Sequence, residues 1–253
     1  MNPLLRALSA ESVKLRGTLA LWMCLIAPSV VVVLYVLQIS FSRIPADRVA
    51  DPVHAWQGFS QSILALWAFL MLPLFITLES ALLAGLEHAD HQFKHLLALP
   101  LPREVHYLAK LAALAAFVAA AFVVLLALMP LGAAALGVLK PQFGIAGGPP
   151  WRSLLGTAAA CYAASLLMVA LHTWLAIRWR SFTVAVSIGM SATVMGFLIG
   201  QSERFGHWYP WSMPLQVLAG KGQWTGFVVV AGIFGGLLVG LAGLLDFRRR
   251  EFA

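Results

Sequence analysis

The chain has 253 residues, of which 61% are hydrophobic and 11% charged, with a mean hydropathy of +0.87. A soluble domain is about 45–50% apolar and about 25% charged, so a water-soluble globule is excluded. The formal charge of +7 does not point to nucleic acid, because the basic residues flank apolar runs instead of forming one face of a folded domain.

Six runs are long enough to cross the hydrocarbon layer, which takes roughly 20 apolar residues each. They predict spans at 19–40, 59–86, 107–139, 154–177, 182–200 and 225–247. The runs are rich in Leu, Ala and Val with no period-two alternation, so an all-α integral membrane bundle is expected and a barrel is not. Six crossings use about 120–140 residues. The connections left over are short, so 1–253 reads as one transmembrane domain without space for an ATP-binding unit.

In chain order, the first informative segment is 2–16. Asn2 and Pro3 suit the cap and first turn of a helix. Leu4, Leu8 and Leu15 recur on one side of the wheel while Arg6, Ser9 and Lys14 lie elsewhere. A short amphipathic helix in the membrane interface is expected, with a tail lacking fixed structure as the plainer alternative. Lys14 and Arg16 precede the first span, but that run is about 21 residues long and no small-x-small cleavage site follows, so it is expected to be retained. Cys24 and Cys161 fall inside apolar runs and read as small buried residues, not as a disulfide or metal site.

Glu79 is the acidic residue deep inside a span, where an ionisable group is expensive and is by default a functional candidate. It lies roughly 12 Å above Glu87, and His172 roughly 9 Å above Arg178, so a Glu79–His172 contact is within reach. A latch or polar path is one reading. A protonated or hydrogen-bonded Glu that only ties helices together is the other.

The connection after the second span, EHADHQFKHLLALPLPREVHY, is polar, then amphipathic, then stopped by Pro100 and Pro102. Phe93, Leu96, Leu97 and Leu99 stand beside Lys94 and Arg103, the make-up of a docking surface. His88, His91 and His95 share one helical face at a spacing that can hold zinc or iron. His54, His207, His106 and His172 supply no second cluster, and HExxH is missing, so a solvated polar face is favoured and no metal is expected.

In the later spans, Ala112/Ala116/Ala120, Gly196/Gly200 and Gly232/Gly236/Gly240 repeat every four residues, as close-packing helices do, within one bundle or between two copies. Ser165, Ser187 and Ser191 stand in no GxSxG context, and 144–150 holds glycines without GxxxxGK[ST]. The chain is therefore not expected to be an enzyme or to hydrolyse ATP itself. The loop 201–224 carries Trp208, Tyr209, Pro210, Trp211, Pro214 and Trp224, three of the nine tryptophans among them. Broken or re-entrant helical pieces over the outer mouth, or a plain aromatic-belt loop, both fit.

With the N-terminus inside, the cytoplasmic side holds Arg6, Lys14, Arg16, Lys94, Arg103, Lys110, Arg178, Arg180, Arg248, Arg249 and Arg250. The other side holds Arg43, Arg48, Lys140, Arg152, Arg204 and Lys221. Eleven against six predicts both termini in the cytoplasm.

The segment ending in Glu11-x-x-Lys14-Leu15-Arg16-Gly17-Thr18, Pro28 in the first span, and E-H-x-x-x-x-x-K-H-L-L-A-L-P-x-P-R-x-x-x-x-x-A-K over 87–110 together resemble permease subunits of ABC-2 type transporters. The match looks closest to the lantibiotic-immunity and peptide-antibiotic exporter branch, as does the Tyr209-Pro210-Trp211-Ser212-x-Pro214 run. The resemblance implies a bacterial inner-membrane protein, paired with a second permease, homologous or identical, and with two cytoplasmic ATPases that hold ATP and Mg. It makes the N-terminal segment with Leu4, Leu8, Lys14 and Arg16 a connecting helix. Phe93, Lys94, Leu96, Leu97, Leu99 and Arg103 become a coupling helix seated in the ATPase, and 201–224 becomes re-entrant helices over the path. The histidine-rich face departs from that family's coupling region and would change charge near neutral pH.

The leading expectation is an exporter permease for a hydrophobic or amphipathic substrate such as an antimicrobial peptide, drug or lipid-like compound. A proton-coupled secondary transporter or channel using Glu79 is the alternative, although no internal repeat and no second buried carboxylate accompany it.

Overall fold

A computed structural model describes residues 17–43, 51–88, 103–179 and 181–249. Of these described residues 85% are helical and none lies in a strand. The helices are α1 (Leu19–Phe41), α2 (Pro52–Leu66), α3 (Leu72–His88), α4 (Arg103–Leu139), α5 (Trp151–Arg178), α6 (Phe182–Gly200), α7 (Met213–Gln216) and α8 (Thr225–Arg249). Six helical stretches are long and apolar enough to span a membrane, with α2 and α3 joined into one of them over Pro52–Gly85. The chain is thus a multi-pass membrane protein, and α1 begins on the same side on which α8 ends. That side is called the terminal side below, and its opposite the far side.

The second span starts at Pro52, not near Phe59 as hydropathy predicts. Pro52 opens the helix at a position that tolerates a missing N–H, and Gln57, Gly58 and Gln61 dilute the apolar signal of its first turns. In mid-span, Trp67–Met71 form a π-turn, and the Leu72 N–H reaches back five residues to the Trp67 carbonyl. Pro73 follows directly. Its ring would clash with the carbonyl four residues earlier in a regular helix, and the widened turn relieves that conflict. Trp67 is fully buried there, 6.0 Å from Phe75 and 5.8 Å from Phe122 between ring centres.

Packing follows three helix pairs. α1 runs parallel to α4: the Cys24 thiol points at the Phe117 carbonyl, Gly132 lies under Val32 and Val36, and Lys140 Nζ donates to the Ser40 and Ser42 carbonyls at 3.2 and 2.8 Å. Lys140 thereby satisfies carbonyls at the far-side end of α1 that have no helical partner. α5 runs parallel to α8. Gly232 lies against Ala163 and Ala164, and Gly236 against Leu166 and Leu167, so the glycine stripe of the last span is a packing surface inside the chain. α3 runs antiparallel to α6, with Phe69 against Phe197 and Thr77 against Gly189. In lipid such contacts rest on close van der Waals fit, which glycine permits by letting backbones approach.

The other two small-residue stripes divide. Gly196 and Gly200 receive Trp211 and Ser212 of the far-side loop, whereas Ala112, Ala116 and Ala120 are exposed. Large apolar side chains on α1, α6 and α8, such as Trp22, Val194 and Leu238, also face outward, as lipid-facing surfaces do.

Candidate functional site

Three layers of polar side chains punctuate the bundle. The first lies near the terminal side. Lys110 of α4 is 4% exposed, and its Nζ donates to the Leu83 carbonyl of α3 at 2.9 Å. Trp174 Nε1 of α5 donates to Asp246 Oδ2 of α8 at 3.1 Å, and Arg248 Nε pairs with Glu104 Oε1 at 3.0 Å. Tyr107 packs on Phe247 and over Gly243, where any side chain would strike the phenol. These contacts bind α3, α4, α5 and α8 into one block at the end from which the 89–102 connection departs.

The second layer lies within the membrane. His172 of α5 is 1% exposed and meets Thr77 of α3, with Nε2 to Oγ1 at 3.4 Å. The Thr77 hydroxyl donates its proton to the Pro73 carbonyl at 2.8 Å, so the His172 N–H donates to Thr77. Gly189 of α6 closes over both side chains, and the His172 ring stands edge-on to Trp211, 5.5 Å between centres. The Glu79–His172 contact that similar depth would allow is not formed. Residues 77 and 79 differ by about 200° around a helix axis, so the face that brings Thr77 to His172 turns Glu79 away. Glu79 is 0% exposed, and neither carboxyl oxygen has a hydrogen-bond partner among the described residues.

The third layer is a far-side cap over 201–224, made of α7, the 3-10 turn Ala219–Gly222 and irregular turns. Short helical pieces therefore stand where sequence left open a plain loop. Neutral side chains fasten the cap to backbone carbonyls. Tyr209 OH donates to Ala192 O at 3.0 Å, Ser212 Oγ to Gly206 O at 2.6 Å and Gln216 Nε2 to Gly200 O at 2.9 Å. Partial burial pushes the Tyr209 phenol above its ordinary value, so it remains a donor. His207 stacks on Trp224 at 3.7 Å with ring planes 7° apart, and Trp208 packs edge-on to Phe227. A cavity of about 630 Å³ opens beside the cap, between the far-side turns of α2 and α5.

Of the residues singled out from sequence, Glu79, His172, Trp208, Tyr209, Pro210 and Trp211 fall in these layers, with Pro210 at a turn. Leu4, Leu8, Lys14, Arg16, Phe93, Lys94, Leu96, Leu97 and Leu99 lie outside the described residues, as do His91 and His95, while the backbone of Arg103 opens α4. Thr77 and the buried role of Lys110 were missed. A threonine in an apolar run carries no sequence signal, and Lys110 reads as one more charge near a span end.

The six-span bundle thus carries a cap on one side and a tied block of helix ends on the other. The family model described as ABC-2 family transporter protein matches residues 7–196, three quarters of the sequence. The chain belongs to that family and is the permease, or membrane component, of an ABC transporter. The match ends within α6, before the cap and α8. No curated protein and no solved structure matches the chain.

Proposed function

We propose that the chain is the permease of an ATP-driven exporter in the peptide-antibiotic branch, moving a hydrophobic or amphipathic substrate such as an antimicrobial peptide out of the cytoplasm. It works with two soluble ATPases, which hold ATP and Mg, and with a second permease, identical or homologous. It sits in the bacterial inner membrane with both termini in the cytoplasm, an orientation supported by the Lys and Arg distribution.

The family membership over residues 7–196 carries the reading. The terminal-side block gives it a mechanism. The 89–102 connection, with its docking residues Phe93, Lys94, Leu96, Leu97 and Leu99, joins the end of α3 to Arg103 at the start of α4, and Lys110 ties those two helices together. A displacement imposed on the connection by nucleotide-driven closure of the ATPases is then delivered to α3 and α4 as a unit. Through Thr77 and His172 it passes to α5, and through Gly189 to α6, which carries the cap.

Co-purification of the full chain with a soluble P-loop ATPase from the native membrane tests this directly. A stoichiometric ATPase is expected, lost in Phe93→Ala and Arg103→Ala variants that still fold. A homogeneous, transport-active preparation without any ATPase overturns the reading. Proton coupling through Glu79 is the weaker alternative, because neither carboxyl oxygen meets a polar relay among the described residues. Glu79→Gln at equal expression is expected to keep transport within about twofold; abolished transport would favour the proton-coupled reading.

A further inference from the structure

We propose that the far-side cavity is a binding site for the uncharged main chain of an extended, amphipathic peptide segment. The proposal rests on the exporter reading for its direction and supplies the recognition chemistry which that reading lacks. The cavity lies between the first four turns of α2, the connection at 146–150, the first two turns of α5 and the inner edge of the cap. Its volume of about 630 Å³ is that of a ligand site, roughly 300–1,000 Å³.

Two polar rows face it. Gln57 and Gln61 stand one turn apart on α2, and Ser153 and Thr157 one turn apart on α5. None of these four side chains makes a hydrogen bond to a described residue. Gln57, Gln61 and Ser153 are exposed and Thr157 is half-buried, so water reaches them and a ligand can take their hydrogen bonds by displacing it. No charged residue is among the described residues of the lining, so an ion would lose hydration there without compensation. A carboxamide offers one donor face and one acceptor face, and hydroxyls offer both, which together match the N–H and C=O of a peptide group. Leu64, Leu154 and Val217 add apolar walls for the intervening side chains.

The rim is built to stay open. Trp56 Nε1 donates to the Ala146 carbonyl at 3.2 Å, pinning the connection to α2. Gly147 takes φ +77, a conformation glycine adopts without strain, and a Cβ there or at Gly148 would meet nothing within 4 Å. A bare stretch of backbone therefore borders the space, and the peptide groups of the rim add further donors and acceptors. A phospholipid headgroup fits poorly, since no described cation awaits its phosphate.

The test uses the full chain in lipid nanodiscs and an N-acetylated, C-amidated leucine–alanine hexapeptide as probe, with binding followed by saturation-transfer NMR titration. Wild type is expected to bind it, and to bind a hexapeptide with two central lysines more weakly. Gln61→Met and Thr157→Val keep side-chain length and should each weaken binding of the uncharged probe about tenfold, as loss of a hydrogen bond to the ligand does. No binding by wild type, or wild-type affinity in both variants, overturns the site. The same preparations are assayed for ATPase co-purification. A wild type that recruits an ATPase but does not bind the probe refutes the site alone, whereas a wild type that never recruits an ATPase refutes the exporter reading.

Discussion

The two ends of the bundle are held together by different chemistry. On the terminal side the fastenings are charged: Lys110 on a carbonyl, Asp246 under an indole, and Glu104 with Arg248. At the cap they are neutral, with a phenol, a hydroxyl and a carboxamide each donating to a backbone carbonyl. Charge-assisted bonds are roughly twice as strong as neutral ones, so the terminal block is suited to transmit force and the cap to yield. The lower-stability end is where a path can open without unfolding the helices that frame it.

Substitutions can break or sharpen that contrast. The largest effect is expected at the α5–α8 contact they both depend on. A side chain at Gly232 would run into Ala163 and Ala164 backbone, so Gly232→Val should lower stability by about 3 kcal/mol. Thermal unfolding in detergent measures it, and Gly235→Ala, which meets only the flexible Leu167 side chain, serves as the mild control. Next, Lys110→Met leaves the Leu83 carbonyl without its ammonium donor and should cost about 1.5–3 kcal/mol. It should also uncouple substrate-stimulated ATP hydrolysis, because α3 and α4 no longer move together. Ser212→Ala and Gln216→Leu should each cost about 1 kcal/mol, detected as faster proteolysis within 201–224 with the spans intact. If Lys110→Met proves no worse than Ser212→Ala, the contrast between the ends fails. The smallest change belongs to Glu104→Gln, since that pair is 41% exposed on Glu104 and 54% on Arg248. A loss below about 1 kcal/mol, vanishing in high salt, is expected.

Sequence patterning revealed the spans because hydrocarbon thickness sets a length that few other structures need. Depth along a helix was legible too, and it put Glu79 and His172 at comparable heights. Azimuth was not, and Thr77 occupies the position next to His172. The glycine repeat in α8 announced a close contact without naming the helix it meets, since any backbone can fill the space a missing Cβ leaves. The far-side polar rows escaped notice for a related reason. Gln57 and Gln61 lower the hydropathy of their turn, so by hydropathy the second span begins at 59, between the two.

The π-turn at Trp67–Met71 bears on those same glutamines. One residue beyond the regular repeat rotates everything before it by about 100° relative to everything after it. Gln57 and Gln61 therefore reach the cavity, and Thr77 reaches His172, only because the two halves of the span are wound out of phase. Deleting a single residue between Trp67 and Met71 would leave a helix still long and apolar enough to span, with the conflict at Pro73 no longer relieved. Such a helix could aim one polar set correctly but never both, so the span would persist while its two ends stopped addressing the same bundle.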